Sequence, residues 1–318
     1  MSARYPVELV PPDIAAYREG NTGIDYVTTF DSGRPGPHVL IAAVTHGNEL
    51  CGAVVVDFLF RQKVRPTAGK LTLAFNNYRA YLTFDARYPG LSRYVDEDFN
   101  RLWSPDVLDG GRTSDELRRA RELRPLIDSV DLLLDLHSMQ TRAPALMLAG
   151  PLEKGRLLAA AVGVPEFVVS DVGHAAGMRM RDYGAFGNAA SSKNALLVEC
   201  GQHWEQSSVD VAMQTTLRFL KHCGTVDPAF LDAHISGSPP PQKFVTVTGP
   251  VTIKHDDFQF VDDFQGMEVI AKAGTIIAHD GDEPVRTTYD DCVLIMPSRR
   301  MSAGQTAVRL GRFTHRPA

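Results

Sequence analysis

The sequence predicts an α/β fold: a mostly parallel mixed sheet flanked by helices, with a smaller C-terminal β-rich domain. From residue 37 onward, short apolar or β-branched runs alternate with longer stretches of helical period, the signature of parallel strands joined by crossover helices. Near residue 240 the run SGSPPPQKF breaks this rhythm, because consecutive prolines fit neither a helix interior nor a central strand. Beyond it, FVTVTGPVTI, GMEVIAKAGTIIAHD and YDDCVLIMP read as short strands between Gly and Asp turns. The 318 residues therefore divide into an α/β domain over 1–224, a linker over 225–243 and a β-rich domain over 244–318.

Taken in order, the strands fall at 38–44 (HVLIAAV), 70–76 (KLTLAFN), 131–137 (DLLLDLH), 144–150 (PALMLAG), 166–170 (EFVVS) and 195–200 (ALLVEC). Helices fall at 49–62, 114–130 and 209–223, where apolar residues recur at helical spacing. Ser114 makes an N-cap before acidic first-turn residues, and the Arg-rich middle of that helix reads as a solvated face.

Composition excludes several classes. With 44% hydrophobic and 22% charged residues the chain can bury a sizeable core. A net charge of -5 argues against nucleic-acid binding, which needs a clustered basic surface. No apolar stretch approaches the roughly 20 residues of a membrane span, and the N-terminal MSARYPVELVPPDIAAYREGN lacks the apolar segment of a secretion signal. Cys51, Cys200, Cys223 and Cys292 are scattered without a CxxC pair, which fits a reducing, cytoplasmic setting. Whether the chain stands alone or forms a homo-oligomer is not legible.

The chemistry concentrates at four stretches. In AAVTHGNELCG, His46 and Glu49 lie between a strand end and a helix start, where sites form in open α/β sheets. Three positions apart, they can converge on one ion, and histidine with carboxylate is a zinc set. Alone, the pair equally fits a turn histidine and a glutamate facing a helix dipole. DLLLDLHSM supplies a third donor, His137, with Asp135 one pleat deeper on the same face as its support. ALLVECGQHW ends its apolar run on Glu199, a carboxylate suited to general base and then general acid beside a metal-activated water. LSRYVDEDFNRLW sets Arg93, Asn100 and Arg101 in an acidic loop. There an arginine can grip a carboxylate or polarise a carbonyl, or simply pair with Asp96, Glu97 or Asp98.

THGNE, SRYVDEDFNR, DLHS and a strand ending in VECG occur in this order, and through them the chain resembles the aspartoacylase and succinylglutamate desuccinylase family, a zinc-carboxypeptidase-like branch of hydrolases. The resemblance spans about residues 38–204 by motif and reaches the small β domain by general architecture. It implies one Zn2+ per chain on His46, Glu49 and His137, Glu199 as catalytic glutamate, and Arg93 polarising the amide carbonyl. It further implies Asn100 and Arg101 at the free carboxylate of the substrate, and Tyr289 as a contribution from the β domain. The implied reaction is hydrolysis of a small N-acyl amino acid, with the β-rich domain restricting access. The alternatives are a zinc carboxypeptidase on short peptides, if residues 244–318 leave an open groove, or a non-catalytic metal-dependent binding module.

One departure bears on specificity. The family's arginine for a second substrate carboxylate, about ten residues before the catalytic glutamate, is replaced here by Ala189. The aspartyl substrate is then not implied, and Arg179, Arg181 or Lys193 are the candidates to replace that arginine. The acidic residues of 94–98 and 255–263 would instead suit a neutral or cationic side chain.

Overall fold

The computed structural model describes residues 5–174, 176–299 and 302–317, so residues 1–4 of the expected first domain and 318 of the β-rich one lie outside it. The strands are β1 (Val27–Asp31), β2 (His38–Ala43), β3 (Lys70–Phe75), β4 (Leu132–Met139), β5 (Leu146–Leu148), β6 (Phe167–Ser170) and β7 (Asn194–Gln202). In the C-terminal part follow β8 (Lys243–Thr252), β9 (Gln259–Phe260), β10 (Val269–Ile270), β11 (Ile276–Asp280), β12 (Glu283–Arg286), β13 (Cys292–Ile295) and β14 (Thr306–Thr314). The helices are α1 (Leu50–Arg61), α2 (Tyr78–Tyr81), α3 (Pro105–Leu108), α4 (Asp115–Ser129), α5 (Glu153–Val162), α6 (Gln206–Cys223) and α7 (Pro228–His234). Every strand and helix expected up to residue 224 is present, with ends shifted by at most a few residues.

Eleven strands form one sheet in the order β1-β3-β2-β4-β7-β5-β6-β8-β14-β13-β10. β3, β2, β4 and β7 are parallel, whereas β1 runs antiparallel to β3, and β5 runs antiparallel to β7 but parallel to β6. Alternation along β2 sends Val39, Ile41 and Ala43 into a core shared with α1, α5 and α6, and Leu40 and Ala42 into a second core under α4. Helices therefore cover both faces. β3 lies on one side of β2 and β4 on the other, so the carboxyl ends of β2 and β4 frame a topological switch point.

The expected smaller β-rich C-terminal part is present, and it joins the main sheet: β8 pairs in parallel with β6, and β14, β13 and β10 continue the same sheet. Without β8, β6 would present an unpaired edge, and β8 satisfies it. β9, β11 and β12 form a separate small sheet. The expected linker likewise contains α7, whose Asp227 accepts from Ala229 N at 3.0 Å and whose Phe230 and His234 rings pack on Phe58 of α1. Only the stretch after it is irregular.

The arginines of α4 also divide. Ser114 caps the helix as expected, accepting from Leu117 N at 2.9 Å. Arg119, however, is buried, donating to the carbonyls of Asn76 (2.7 Å), Asp25 (2.8 Å) and Phe75 (3.2 Å). These carbonyls lie beyond the ladder at the end of β3 and need a donor from elsewhere. Arg119→Ala should therefore cost roughly 2–4 kcal/mol in denaturant unfolding, while Arg118→Ala, at an exposed position, should stay within about 0.5 kcal/mol.

Candidate metal centre and active site

At the end of β2 the chain turns sharply, and Val44, buried and β-branched, takes a φ of 50°. Such a conformation costs on the order of 1–3 kcal/mol and persists where surrounding structure enforces it. Here Asn76 N and Asn77 N hold the carbonyls of Ala43 and Val44 at 2.8 and 3.1 Å. The turn then passes His46 and Gly47. A Cβ on Gly47 would lie 2.4 Å from Tyr81 N and 2.5 Å from Ser92 O, so only glycine fits. Its N–H donates to Arg93 O at 3.0 Å, tying the arginine loop to the histidine turn.

Glu49 stands at the N-cap of α1 but its side chain makes no cap hydrogen bond. Its oxygens face two imidazoles instead, Oε1 at 2.8 Å from His46 Nδ1 and Oε2 at 2.9 Å from His137 Nδ1. Donor atoms of the three residues lie within 4.8 Å of one another. The far nitrogens are also held. His46 Nε2 lies 2.9 Å from Asp98 Oδ1, and His137 Nε2 lies 2.9 Å from Asp135 Oδ2, whose other oxygen accepts from Thr45 Oγ1 at 2.8 Å. At His137 the carboxylate on Nε2 favours the Nε2–H form and leaves the Nδ1 lone pair for a cation, while at His46 Nε2 the Asp98 acceptor shares its place with the donor Arg93 Nη2, also at 2.9 Å. Burial works against charge at Glu49, yet the positive histidines outweigh it and hold its carboxyl well below the ordinary range. Burial is likewise overcome at His137, which Asp135 and Glu49 raise well above the usual imidazole value. Two imidazole nitrogens, each backed by a carboxylate, together with the carboxylate of Glu49 fit a divalent cation of the zinc type.

The loop over 93–101 is locked from several sides. Glu116, buried in the first turn of α4, accepts from Val95 N (2.6 Å), Asp96 N (3.0 Å), Glu97 N (3.2 Å) and Asn77 Nδ2 (3.0 Å). Arg93 Nη2 donates to Asp98 Oδ2 at 2.9 Å, and its Nη1 lies 3.5 Å from Glu49 Oε1. Asn100 Oδ1 accepts from Met180 N at 2.9 Å, and Arg101 Nη1 donates to Asn100 O at 2.7 Å. Burial favours the neutral form of Asp98, but His46, Arg93 and Arg101 together hold it far into the ionised form.

Glu199 lies beside His137 in the β4–β7 register. Its Oε2 is buried without a hydrogen-bond partner among the described residues, and burial first of all pushes its carboxyl up to about 7. Both residues face a cavity of about 260 Å³ that also receives Arg93, Asn100 and Arg101. The C-terminal part supplies its opposite wall through Met296, Pro297, Ser298, Thr306 and Arg309. In this arrangement a cation and a proton acceptor can act on one bond in a space that holds only a small molecule.

The family model for the succinylglutamate desuccinylase/aspartoacylase catalytic domain matches residues 35–223, more than half of the chain. The chain belongs to this family. Among curated relatives, the N-acyl-aromatic-L-amino acid amidohydrolase (carboxylate-forming) of Rattus norvegicus is 28% identical over 127 residues, covering 37% of this chain and 38% of the relative. A probable aspartoacylase of Parasynechococcus marenigrum is 40% identical over 85 residues, 27% of this chain and 26% of that protein. The chain thus spans well under half the length of either. Among solved structures, succinylglutamate desuccinylase from Vibrio cholerae shares the fold with a TM-score of 0.68 at 17% identity, over 91% of this chain and 86% of that one. The product-bound ectoine utilization protein EutE (DoeB) from Ruegeria pomeroyi does so with a TM-score of 0.63 at 19% identity, over 90% and 88%.

In this member of the family the structure gathers His46, Glu49, His137, Glu199, Arg93, Asn100 and Arg101 at one cavity, and leaves Tyr289 out. Tyr289 precedes β13, whereas the cavity wall follows it; its hydroxyl bonds Thr248 Oγ1 and its ring lies under Arg312 at 3.7 Å. Of the three candidate cations only Arg179 lines the cavity. Arg181 is consumed by the carbonyls of Ala149 and Ala195, and Lys193 by that of Asp128. No residue of 94–98 or 255–263 lines it; Glu97, for one, is held by Arg112 and Ser114. Sequence reasoning missed Arg309, which lies in an unremarked strand, and His203, which lines the cavity with Nδ1 2.8 Å from Ser138 Oγ. In the sequence Asp98 reads as one of three possible ion-pair partners of the loop arginines, although its place within SRYVDEDFNR is a signal. Because Asp98 backs His46, Asp98→Asn should weaken divalent-cation binding roughly 10- to 100-fold in chelator competition.

Proposed function

We propose that the chain is a zinc-dependent amidohydrolase that cleaves the amide bond of a small N-acyl amino acid. The observation that carries this reading is Glu199, unpartnered at Oε2 and adjacent to the His46–Glu49–His137 cluster, inside a cavity walled by both parts of the chain. Zinc on these three residues would supply Lewis acidity, polarising the scissile carbonyl and acidifying an attacking water. Glu199 takes the proton of that water and returns it to the leaving amine. Arg93, kept in place by Asp98, turns its guanidinium to the carbonyl oxygen as negative charge grows there. Asn100, with Oδ1 occupied by Met180 N, offers Nδ2, and with Arg101 it receives the free carboxylate of the amino acid.

The relatives support the reaction class, one being described as an N-acyl-aromatic-L-amino acid amidohydrolase and another as a probable aspartoacylase. A cavity of about 260 Å³ lies below the usual range of drug-sized sites and favours such a metabolite over a peptide in a groove. All four cysteines are free, consistent with a cytoplasmic enzyme, and no helix among the described residues is long and apolar enough to cross a membrane.

Zinc-loaded protein should release free amino acid from members of a panel of N-acetyl and N-succinyl amino acids, and chelation should stop it; no turnover of any member with metal bound would sink the reading. Glu199→Gln should lower kcat on the order of 10²- to 10⁴-fold with zinc content retained. Since Glu199 works as its carboxylate, kcat/KM should rise with pH through an acid limb centred at or below about 7, a bound cation drawing the limb lower. A limb above about pH 8 would contradict the role.

A further inference from the structure

His203 belongs to a short clasp at the end of β7. Its backbone N donates to Met139 O at 2.8 Å, Gln202 Nε2 donates to Gln140 O at 3.2 Å, and Trp204 Nε1 donates to Asn48 O at 3.2 Å. Three consecutive residues thus hold both the tip of β4 and the turn that carries His46 and Glu49. Within the clasp the His203 ring is buried, lies beside the Trp204 ring and lines the cavity of the metal centre. It stands outside the cation site, since among the described residues only His46, Glu49 and His137 offer donors within 4.8 Å of one another. Cation binding and the proton path through Glu199 both leave it unused.

Ser138 sets the form of this imidazole. Its Oγ lies 2.8 Å from His203 Nδ1 and has no other hydrogen-bond partner among the described residues, so the hydroxyl donates and Nδ1 accepts. The ring proton then sits on Nε2, which has no partner among the described residues and is left for a molecule in the cavity. Burial above all, joined by Arg93, His46 and His137, pushes the imidazole down to about 3 against the attraction of Glu49. At neutral pH the ring is an uncharged donor, which can lie near a bound cation without charge repulsion. These neighbours also place it at the metal end of the cavity. On the remaining cavity imidazole, His174, burial and then Arg101, Arg309 and Arg179 act instead.

We propose that His203 is a further catalytic residue, whose Nε2–H donates to the oxygen of the scissile carbonyl alongside Arg93. The proposal rests on the amidohydrolase reading. In that reading the substrate carboxylate goes to Asn100 and Arg101, so the oxygen left at the end shared by Arg93 and His203 is that of the amide. When water attacks, its oxygen bonds to the carbonyl carbon, one of its protons passes to Glu199 and the π pair moves onto the carbonyl oxygen. The pair returns as the C–N bond breaks, and the amine takes the proton from Glu199. His203 gives up no proton at any stage. Its hydrogen bond strengthens while the oxygen is charged, and the clasp holds the donor in place beforehand, so that little reorganisation accompanies the reaction.

The test uses zinc-loaded protein and an N-acyl amino acid of the panel that it hydrolyses. His203→Phe should lower kcat roughly 10²- to 10³-fold with KM within about threefold, and His203→Gln, which restores an N–H donor, should recover about tenfold or more. Unchanged zinc content and melting temperature establish that the variants fold, and His203→Leu carries the same comparison if Phe lowers either. The acid limb of kcat/KM should stay where the parent has it. Calorimetry gives a readout without turnover. A phosphonamidate analogue, with tetrahedral phosphorus in place of the carbonyl carbon, should bind His203→Phe about tenfold or more weakly, while the free amino-acid product binds variant and parent within about twofold. A kcat within about threefold of the parent's, a loss confined to KM, no recovery with Gln, or an equal loss of both calorimetric ligands overturns the inference and leaves the amidohydrolase reading standing. Disappearance of the acid limb in the variant assigns proton transfer to His203 and overturns it too. If the parent hydrolyses nothing, the reading and the inference fall together.

Discussion

The carboxylate of Glu49 joins two parts of the chain that are otherwise far apart. One oxygen faces a histidine three residues before it and the other a histidine at the end of β4, so the turn after β2 and the tip of β4 share one buried charge. A carboxylate at such depth is tolerable only with opposite charge around it. Both imidazoles provide that, and Asp98 and Asp135 in turn support them. The strained Val44, the glycine at 47 and the loop held by Glu116 are all conditions for this meeting. With a divalent cation between the donors, the excess negative charge becomes its binding energy.

The sheet extends this constraint to the other wall of the cavity. β7 runs beside β4, which places Glu199 next to His137 by register alone. Further along the same sheet, β8 covers the edge of β6, and β14 follows β8. A device that removes an exposed edge therefore also delivers Arg309 and the 296–298 segment to the metal centre. The strand pairing that completes the sheet thus also completes the lining of the cavity.

Charge is sorted within a few residues. Carboxylates back the histidines, arginines line the same cavity, and a carboxyl of near-neutral pKa lies among them. Arg93 lies between the two groups and belongs to both, bonded to Asp98 while facing the cavity.

The sequence by itself determined the parallel core, because strand and crossover periodicities are local and strong, and it determined the seven residues that meet at the cavity, because they occupy strand ends and one dense motif. The unity of the sheet was not legible: a proline run marks a break in the chain, and only edge pairing shows that β8 crosses it. Nor was the burial of Arg119, since three stray carbonyls from other segments decide it. Tyr289 and Arg309 show the same limit at the site. Both lie in the C-terminal part, and local pattern cannot say which end of β13 or which face of β14 turns toward a cavity formed largely by residues of the preceding strands. Tertiary packing decided that, because a binding wall depends on where strands meet rather than on what each contains.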